Sequence, residues 1–355
     1  MNTIKNRTEW NSLLKGEFSE YNDIYFRYEY FELYKRHYDV EPEGIFWEDG
    51  NVKIFWTHLI RDISKIEQFK DFKYYDLTTP YGYGGPLIIT KGGDKEKVDE
   101  SLKEFFEEYK KYALKNNYVC EFIRFYPIFE NWKFFNRIFD VEYLNDVVIV
   151  DLTKDLEEIW KGIRKGHKYN IKKSIREGCK VEVISNPPKK DIDSFIKIYY
   201  HAMDKNKASK KYYFSIEFIT DHFNLLKSIL IEVKYNNRII GTSMLILGGK
   251  IIHYHLSGAA YGLKSLYPSD LILWEAIKWA KENNFKLLHL GGGRAKNDSL
   301  FKFKKGFSND IIPFYIGKKI FDIKAYQALL TMNPLSTTSN NYFPAYRPGL
   351  DEKIV

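Results

Sequence analysis

A chain of 355 residues, 44% of them hydrophobic, is long enough for two cores, and a net charge of +8 draws phosphates without by itself marking a nucleic-acid binder. The two cysteines, Cys120 and Cys179, have no Cys or His at metal-ligand spacing, which argues against a metal site and suits a reducing compartment. No apolar run approaches membrane-spanning length and Met1–Trp10 has no apolar signal core, so a cytoplasmic protein without an integral membrane segment is expected.

In chain order, Thr8 is placed to cap a short helix through Leu14, and Asp23 a longer one through His37. A hairpin follows over Ile45 to Trp56, turning at Asp49-Gly50. Asp76 to Pro86 is too rich in Gly and Pro for regular structure and reads as a loop. A helix over Lys95 to Lys115, a strand over Val119 to Phe125 and a strand over Asp146 to Leu152 complete a first lobe, residues 1–150. Trp160 to Lys180 is densely basic with a narrow apolar stripe and reads as a helix stopped at Gly178. Asn186-Pro187-Pro188 turns the chain into helices over Lys190 to Asn206 and Ser215 to Ser228. A second hairpin spans Ile231 to Leu247 around Asn236-Asn237, and a helix and a strand run on to Leu290. A short capped helix holds the Lys and Phe cluster, and Ile311 to Ile316 closes a second lobe, 151–335. An irregular tail is expected over 336–355.

The chain repeats itself. Lys111-Tyr112-Ala113-Leu114-Lys115-Asn116-Asn117-Tyr118 and Lys278-Trp279-Ala280-Lys281-Glu282-Asn283-Asn284-Phe285 each end an amphipathic helix at Asn-Asn and lead into a buried strand. With a hairpin upstream of each, this is one α/β design used twice. Only the second copy continues into Gly291-Gly292-Gly293-Arg294 and Ser299-Leu300-Phe301-Lys302-Phe303-Lys304-Lys305-Gly306-Phe307.

That order of hairpin, helix, Gly-Gly-Gly strand end and Phe-Lys-Phe-Lys-Lys-Gly-Phe resembles the Fem family, tandem-lobed relatives of the GNAT acyltransferases. The likeness is good over about Tyr143 to Phe321 and looser before it. Thr79-Pro80-Tyr81-Gly82-Tyr83-Gly84-Gly85-Pro86 and Phe343-Pro344-Ala345-Tyr346-Arg347 are similar to relatives from surface-polysaccharide gene clusters. The resemblance implies an α/β (α+β) fold of two tandem GNAT-like lobes, each a mixed sheet flanked by helices. It implies transfer of an aminoacyl group from aminoacyl-tRNA to an amine of a nucleotide- or lipid-linked cell-envelope precursor. No cofactor is then needed, tRNA being a co-substrate. Lys205 to Lys211 is a short basic loop, which resembles members without a coiled-coil arm. Ordinary GNAT enzymes hold the coenzyme A pyrophosphate in an Arg/Gln-x-x-Gly-x-Gly/Ala loop. Ser257-Gly258-Ala259-Ala260-Tyr261-Gly262-Leu263-Lys264 stands there without that pattern.

The Phe-Lys pair of the family corresponds to Phe303-Lys304, which places Lys304 at the reaction centre. Acyl transfer to an amine builds negative charge on the carbonyl oxygen, and a fixed cation in a dry site stabilises it. Tyr254 lies on a strand facing the cleft, and alternation puts His253 and His255 on the opposite face. Each is a candidate base or a core residue. Lys302, Lys305, Gly292, Gly293 and Arg294 are candidate substrate contacts, the glycines because they admit close backbone approach. Phe301, Phe303 and Phe307 share no helical face and are candidate pocket-lining rings. Tyr81 and Tyr83 are candidates to stack on an acceptor sugar or base, and Arg164, Lys168, Lys172 and Lys173 to meet an RNA or diphosphate backbone. No Ser-His-Asp or Cys-His set is evident, so direct attack is expected. Two alternatives stay open: an acyl-CoA- or acyl-carrier-dependent N-acyltransferase acting on an amino sugar, and an RNA-binding or non-catalytic partner protein.

Overall fold

The computed structural model describes residues 1–92, 94–260, 262–333 and 342–348. They form two compact units, Met1–Leu144 with the chain from Phe314 onward, and Asn145–Pro313. The first unit holds β1 (Asn2–Ile4), α1 (Arg7–Lys15), α2 (Tyr28–His37), β2 (Val40–Glu48), β3 (Val52–Asp62), β4 (Tyr75–Thr78), β5 (Gly85–Thr90), α3 (Lys95–Lys115), β6 (Tyr118–Arg124) and the single turn α4 (Trp132–Phe135). β7 (Asp140–Asp151) carries the chain into the second unit. There follow α5 (Leu156–Gly162), α6 (Lys165–Arg176), β8 (Lys180–Ser185), α7 (Lys189–Lys205), α8 (Ile216–Leu225), β9 (Ser228–Tyr235), β10 (Arg238–Gly248), β11 (Ile251–Ala259), α9 (Pro268–Glu282), β12 (Leu287–Gly291) and α10 (Ser299–Lys305). β13 (Ile311–Ile320) returns to the first unit and leads into α11 (Ile323–Met332).

The strands of the first unit run β1-β2-β3-β4-β6-β13, with β5 also on β3. Those of the second run β8-β9-β10-β11-β12-β7. Each has one parallel pair, β4 with β6 and β11 with β12, and each pair is crossed over by a long helix, α3 or α9. The two segments that repeat in sequence therefore share one strand order. The Asn-Asn stops have a backbone cause: Asn117 and Asn284 sit at φ 58° and 63°, left-handed positions that Asn accepts after a helix. Asn236 and Asn237, at φ 48° and 59°, make the tight second hairpin in the same way.

Several elements differ from expectation. Asn6, not Thr8, caps α1 through its side-chain oxygen. Asp23 caps one 3-10 turn, and the helix to His37 starts only at Tyr28. The Gly- and Pro-rich loop contains the end of β4 and the start of β5. The basic helix is two helices, broken where Ile163 and Arg164 go extended so that Ile163 can enter the core. β8, outermost in its sheet, had no recognisable signal because its burial is partial throughout. The units divide at 144/145, near the expected 150, but the chain returns to the first unit at Phe314 because β13 pairs with β6. Of the expected irregular tail, residues 342–348 are described: they form turns and bends, with Tyr346 and Arg347 fully buried. The rest of 336–355 lies outside the described residues, as does Tyr261.

Candidate functional site

Lys304 lies on α10, a helix held by one carboxylate. Asp298 accepts from Phe301 N at 2.8 Å, capping α10, and its other oxygen accepts from Arg294 N at 2.8 Å and Ala295 N at 3.3 Å. The loop between β12 and α10 is thus tied to the helix it feeds. A side chain on Gly293 would overlap Asp298, and one on Gly292 would stand 2.7 Å from Asp146 O. The protein's own packing therefore accounts for these two glycines. With the loop fixed, Lys304 Nζ donates to Gly292 O at 2.7 Å. The side chain is buried, and that burial pulls its pKa down to about 8, with Asp298 opposing.

β11 and β12 pair in parallel only over Ile251–His253 and Leu287–His289. Tyr254 is the first residue beyond that pairing, and its ring centroid lies 5.9 Å from Lys304 Nζ. The structure thus brings Tyr254 and Lys304 together where the strands part. Burial pushes the Tyr254 phenol up to about 12, with hydrogen bonding to Ser257 and Ser243 partly offsetting it. It is a proton donor at neutral pH and a poor base. Pairing between β10 and β11 shifts between Met244 and Leu245, leaving His255 as a bulge, so strict alternation fails here. The His253 ring packs on His289 and that of His255 on His222. Burial pulls His255 and His289 well below the usual histidine range, so both are neutral.

The rings around Lys304 are core. Phe301 and Phe307 are buried in the unit's apolar cluster, and half-buried Phe303 packs against it. His167, which the sequence hid in a run of positive charge, is the residue missed. Its ring sits on Phe303 and Phe307 at 5.3 and 4.7 Å, and its Nδ1 pairs with Asp270 Oδ1 at 2.6 Å. Asn170 Nδ2 donates to the same oxygen at 3.0 Å. Arg164 N donates to Gly306 O at 2.9 Å, so α6 is anchored at both the end of α10 and the first turn of α9. Only a paired acidic residue at the right helix start could have disclosed this, and Asp270 lies 103 positions away.

Of the other candidates, Lys302 and Arg294 are exposed and Lys305 is half-buried. Arg294 Nη1 reaches Asn206 O at 3.4 Å. Arg164 is exposed, half-buried Lys168 donates to Lys161 O, Lys172 lies over Trp160 and Lys173 over Tyr267. In the first unit Tyr83 is buried among Tyr25, Tyr126 and Phe314, with ring centroids 5.1–5.6 Å away, so it is packing and cannot stack on a ligand. Tyr81 is half-buried, and its carbonyl accepts from Tyr30 OH at 2.6 Å. Among the described residues no group of three or more His, Cys, Asp or Glu could hold a metal ion, and no helix is long and apolar enough to cross a membrane.

Residues 162–305 match the family model of the acetyltransferase (GNAT) domain. No curated protein matches. Among solved structures, FemX is similar with a TM-score of 0.67 at 12% identity, over 92% of this chain and 99% of that one. L-PGS from Bacillus licheniformis is similar with a TM-score of 0.54 at 12% identity, over 92% and 96%. A C-terminal domain from Agrobacterium fabrum, described as that of a putative lysylphosphatidylglycerol synthetase, has a TM-score of 0.52 at 14% identity, over 92% and 96%. The fold is thus Fem-like, and the stretch that matches the acetyltransferase (GNAT) domain lies within the second unit.

Proposed function

We propose that this Fem-like GNAT acyltransferase moves an aminoacyl group from aminoacyl-tRNA to an amine of a nucleotide- or lipid-linked cell-envelope precursor. The observation that carries the donor reading is the start of α9. In ordinary GNAT enzymes the loop after the fourth strand receives the coenzyme A pyrophosphate, and a helix N-terminus suits that anion. Here Pro268 opens the helix without an N–H, and Asp270 places a buried carboxylate in its first turn, paired with His167 and Asn170. The helix start thus already holds a carboxylate and offers an incoming anion one N–H fewer. One neighbour's name fits an aminoacyl group as the cargo: it is the C-terminal domain of a putative lysylphosphatidylglycerol synthetase.

In this reading the neutral acceptor amine attacks the ester carbonyl where β11 and β12 part. The C–N bond forms, the oxyanion develops beside Lys304, and the ester C–O bond breaks with the proton passing to the leaving hydroxyl. Lys304 supplies positive charge, and Tyr254 a hydrogen bond, where the charge appears. Single-turnover transfer from labelled aminoacyl-tRNA and from labelled acetyl-CoA to amino-sugar nucleotides and amine-bearing lipid precursors tests it. Label should move from aminoacyl-tRNA alone. Transfer from acetyl-CoA alone would establish the N-acyltransferase alternative in its place.

A further inference from the structure

We infer that the first unit holds an oxyanion site of its own, centred on Arg124 at the C-terminal ends of β4 and β6, for a ligand bearing a phosphate or carboxylate group. Crevices at the C-terminal ends of parallel strands are where α/β sheets bind ligands. β4 ends at Thr78 and β6 at Arg124. Arg61 and Asp76 are cross-strand neighbours, and Asp76 shares its face with Cys120 and Arg124, whose strand alternates in the same sense.

Among the described residues the charges on this face do not balance. Asp76 is fully buried; Arg61 Nε donates to its Oδ1 at 2.6 Å, and Arg347 Nε and Tyr346 OH donate to its Oδ2 at 2.7 Å each. Burial alone would raise this carboxyl, but Arg347 and Arg61 hold it below its usual range. Both its oxygens are engaged, and a third guanidinium, Arg124, remains. It lies 4.7 Å over the Phe122 ring, with Arg61 and the phenols of Tyr34, Tyr81 and Tyr342 near it. Its Nη1 is buried without a hydrogen-bond partner among the described residues. Burial pulls its pKa to about 10, so it is still a cation at neutral pH. A cation withdrawn from water without a counterion is costly, and a guanidinium fork fits a planar or tetrahedral oxyanion.

The loop beside it is built to hold its place. Arg124 N donates to Thr79 Oγ1 at 3.1 Å, Thr79 N to Phe122 O at 3.2 Å, and Gly84 N to Arg124 O at 2.9 Å. Gly82, at φ 101°, lets the turn between them press on the Tyr25 ring, where a Cβ would stand 2.5 Å from it. The Arg124 side chain is half-buried, so part of it meets solvent while Nη1 lies beneath the surface.

Titration calorimetry on the full chain at matched ionic strength tests the site, with pyrophosphate as the phosphate probe and citrate as the carboxylate probe. Saturable binding of at least one probe is expected, and the tighter probe identifies the source of the oxyanion. Arg124→Leu should weaken it by roughly tenfold or more, as loss of a charged hydrogen bond does. Arg124→Lys keeps the charge without the fork and should weaken it less; it also serves if the leucine variant fails to fold. Lys304→Met, in the other unit, should bind as the unaltered protein does, which separates this site from the transfer reaction. No saturable binding of either probe, unaltered affinity in both Arg124 variants, or loss of binding in Lys304→Met would each overturn the assignment.

Discussion

The two units use one strand order to different chemical ends. Where β11 and β12 part, the second unit presents a buried lysine drawn down to about 8 and a phenol pushed up to about 12. Where β4 and β6 end, the first presents a guanidinium, a Gly-turned tyrosine loop and a buried Asp76 sealed by Tyr346 and Arg347. The backbone therefore fixes where the parallel pairing ends. The one or two side chains just beyond the last paired residue set the chemistry available there.

The sharpest way to break that contrast is to remove charge from each unit in turn. Asp76→Ala leaves Arg61 and Arg347 buried without their partner and should cost about 3–5 kcal/mol in urea unfolding. A loss near zero would mean the guanidinium cluster does not depend on it. Lys304→Met should lower kcat by roughly 10²–10³-fold with less change in acceptor affinity. The unaltered enzyme supplies the sign: Lys304 is charged below about 8 and neutral above. If the cation stabilises the oxyanion, kcat falls as pH rises through that value, whereas a rise there would make Lys304 a base.

Smaller effects sharpen the comparison. Gly306→Ala places a methyl against the His167 ring and should destabilise the protein by about 1–3 kcal/mol, an overpacking cost that His167→Ala should relieve. Failure of that relief would separate α6 from α10. Charge reversal at Lys168, Lys172 and Lys173 should make tRNA binding less sensitive to salt, by about one unit of slope for each phosphate no longer neutralised. An unchanged slope would remove α6 from the binding face.

What the sequence discloses follows the reach of the interactions. Helix α3 and both Asn-Asn stops are local, being capped and terminated by residues within a turn, and they are readable. The partial burial of β8 and the break at Ile163 depend on which neighbours arrive, so they are not. Lys304 could be picked out by resemblance, but its hold on Gly292 O and its lowered pKa are products of packing. His167 looked like one more charge because its partner is remote, and the burial of Tyr346 and Arg347 in the irregular tail was not readable because both meet Asp76 some 270 positions away.

The exchange of closing strands has a consequence for synthesis. The second unit is one uninterrupted stretch, 145–313, whereas the sheet of the first lacks β13 until residue 320 has been made. On the ribosome the usual amino-to-carboxyl order of domain completion is therefore inverted. A nascent chain halted just after Pro313, once clear of the exit tunnel, should protect the second unit from protease while β6 still offers an open edge. That edge is a hazard for pairing between chains, and it closes only when the last strand emerges.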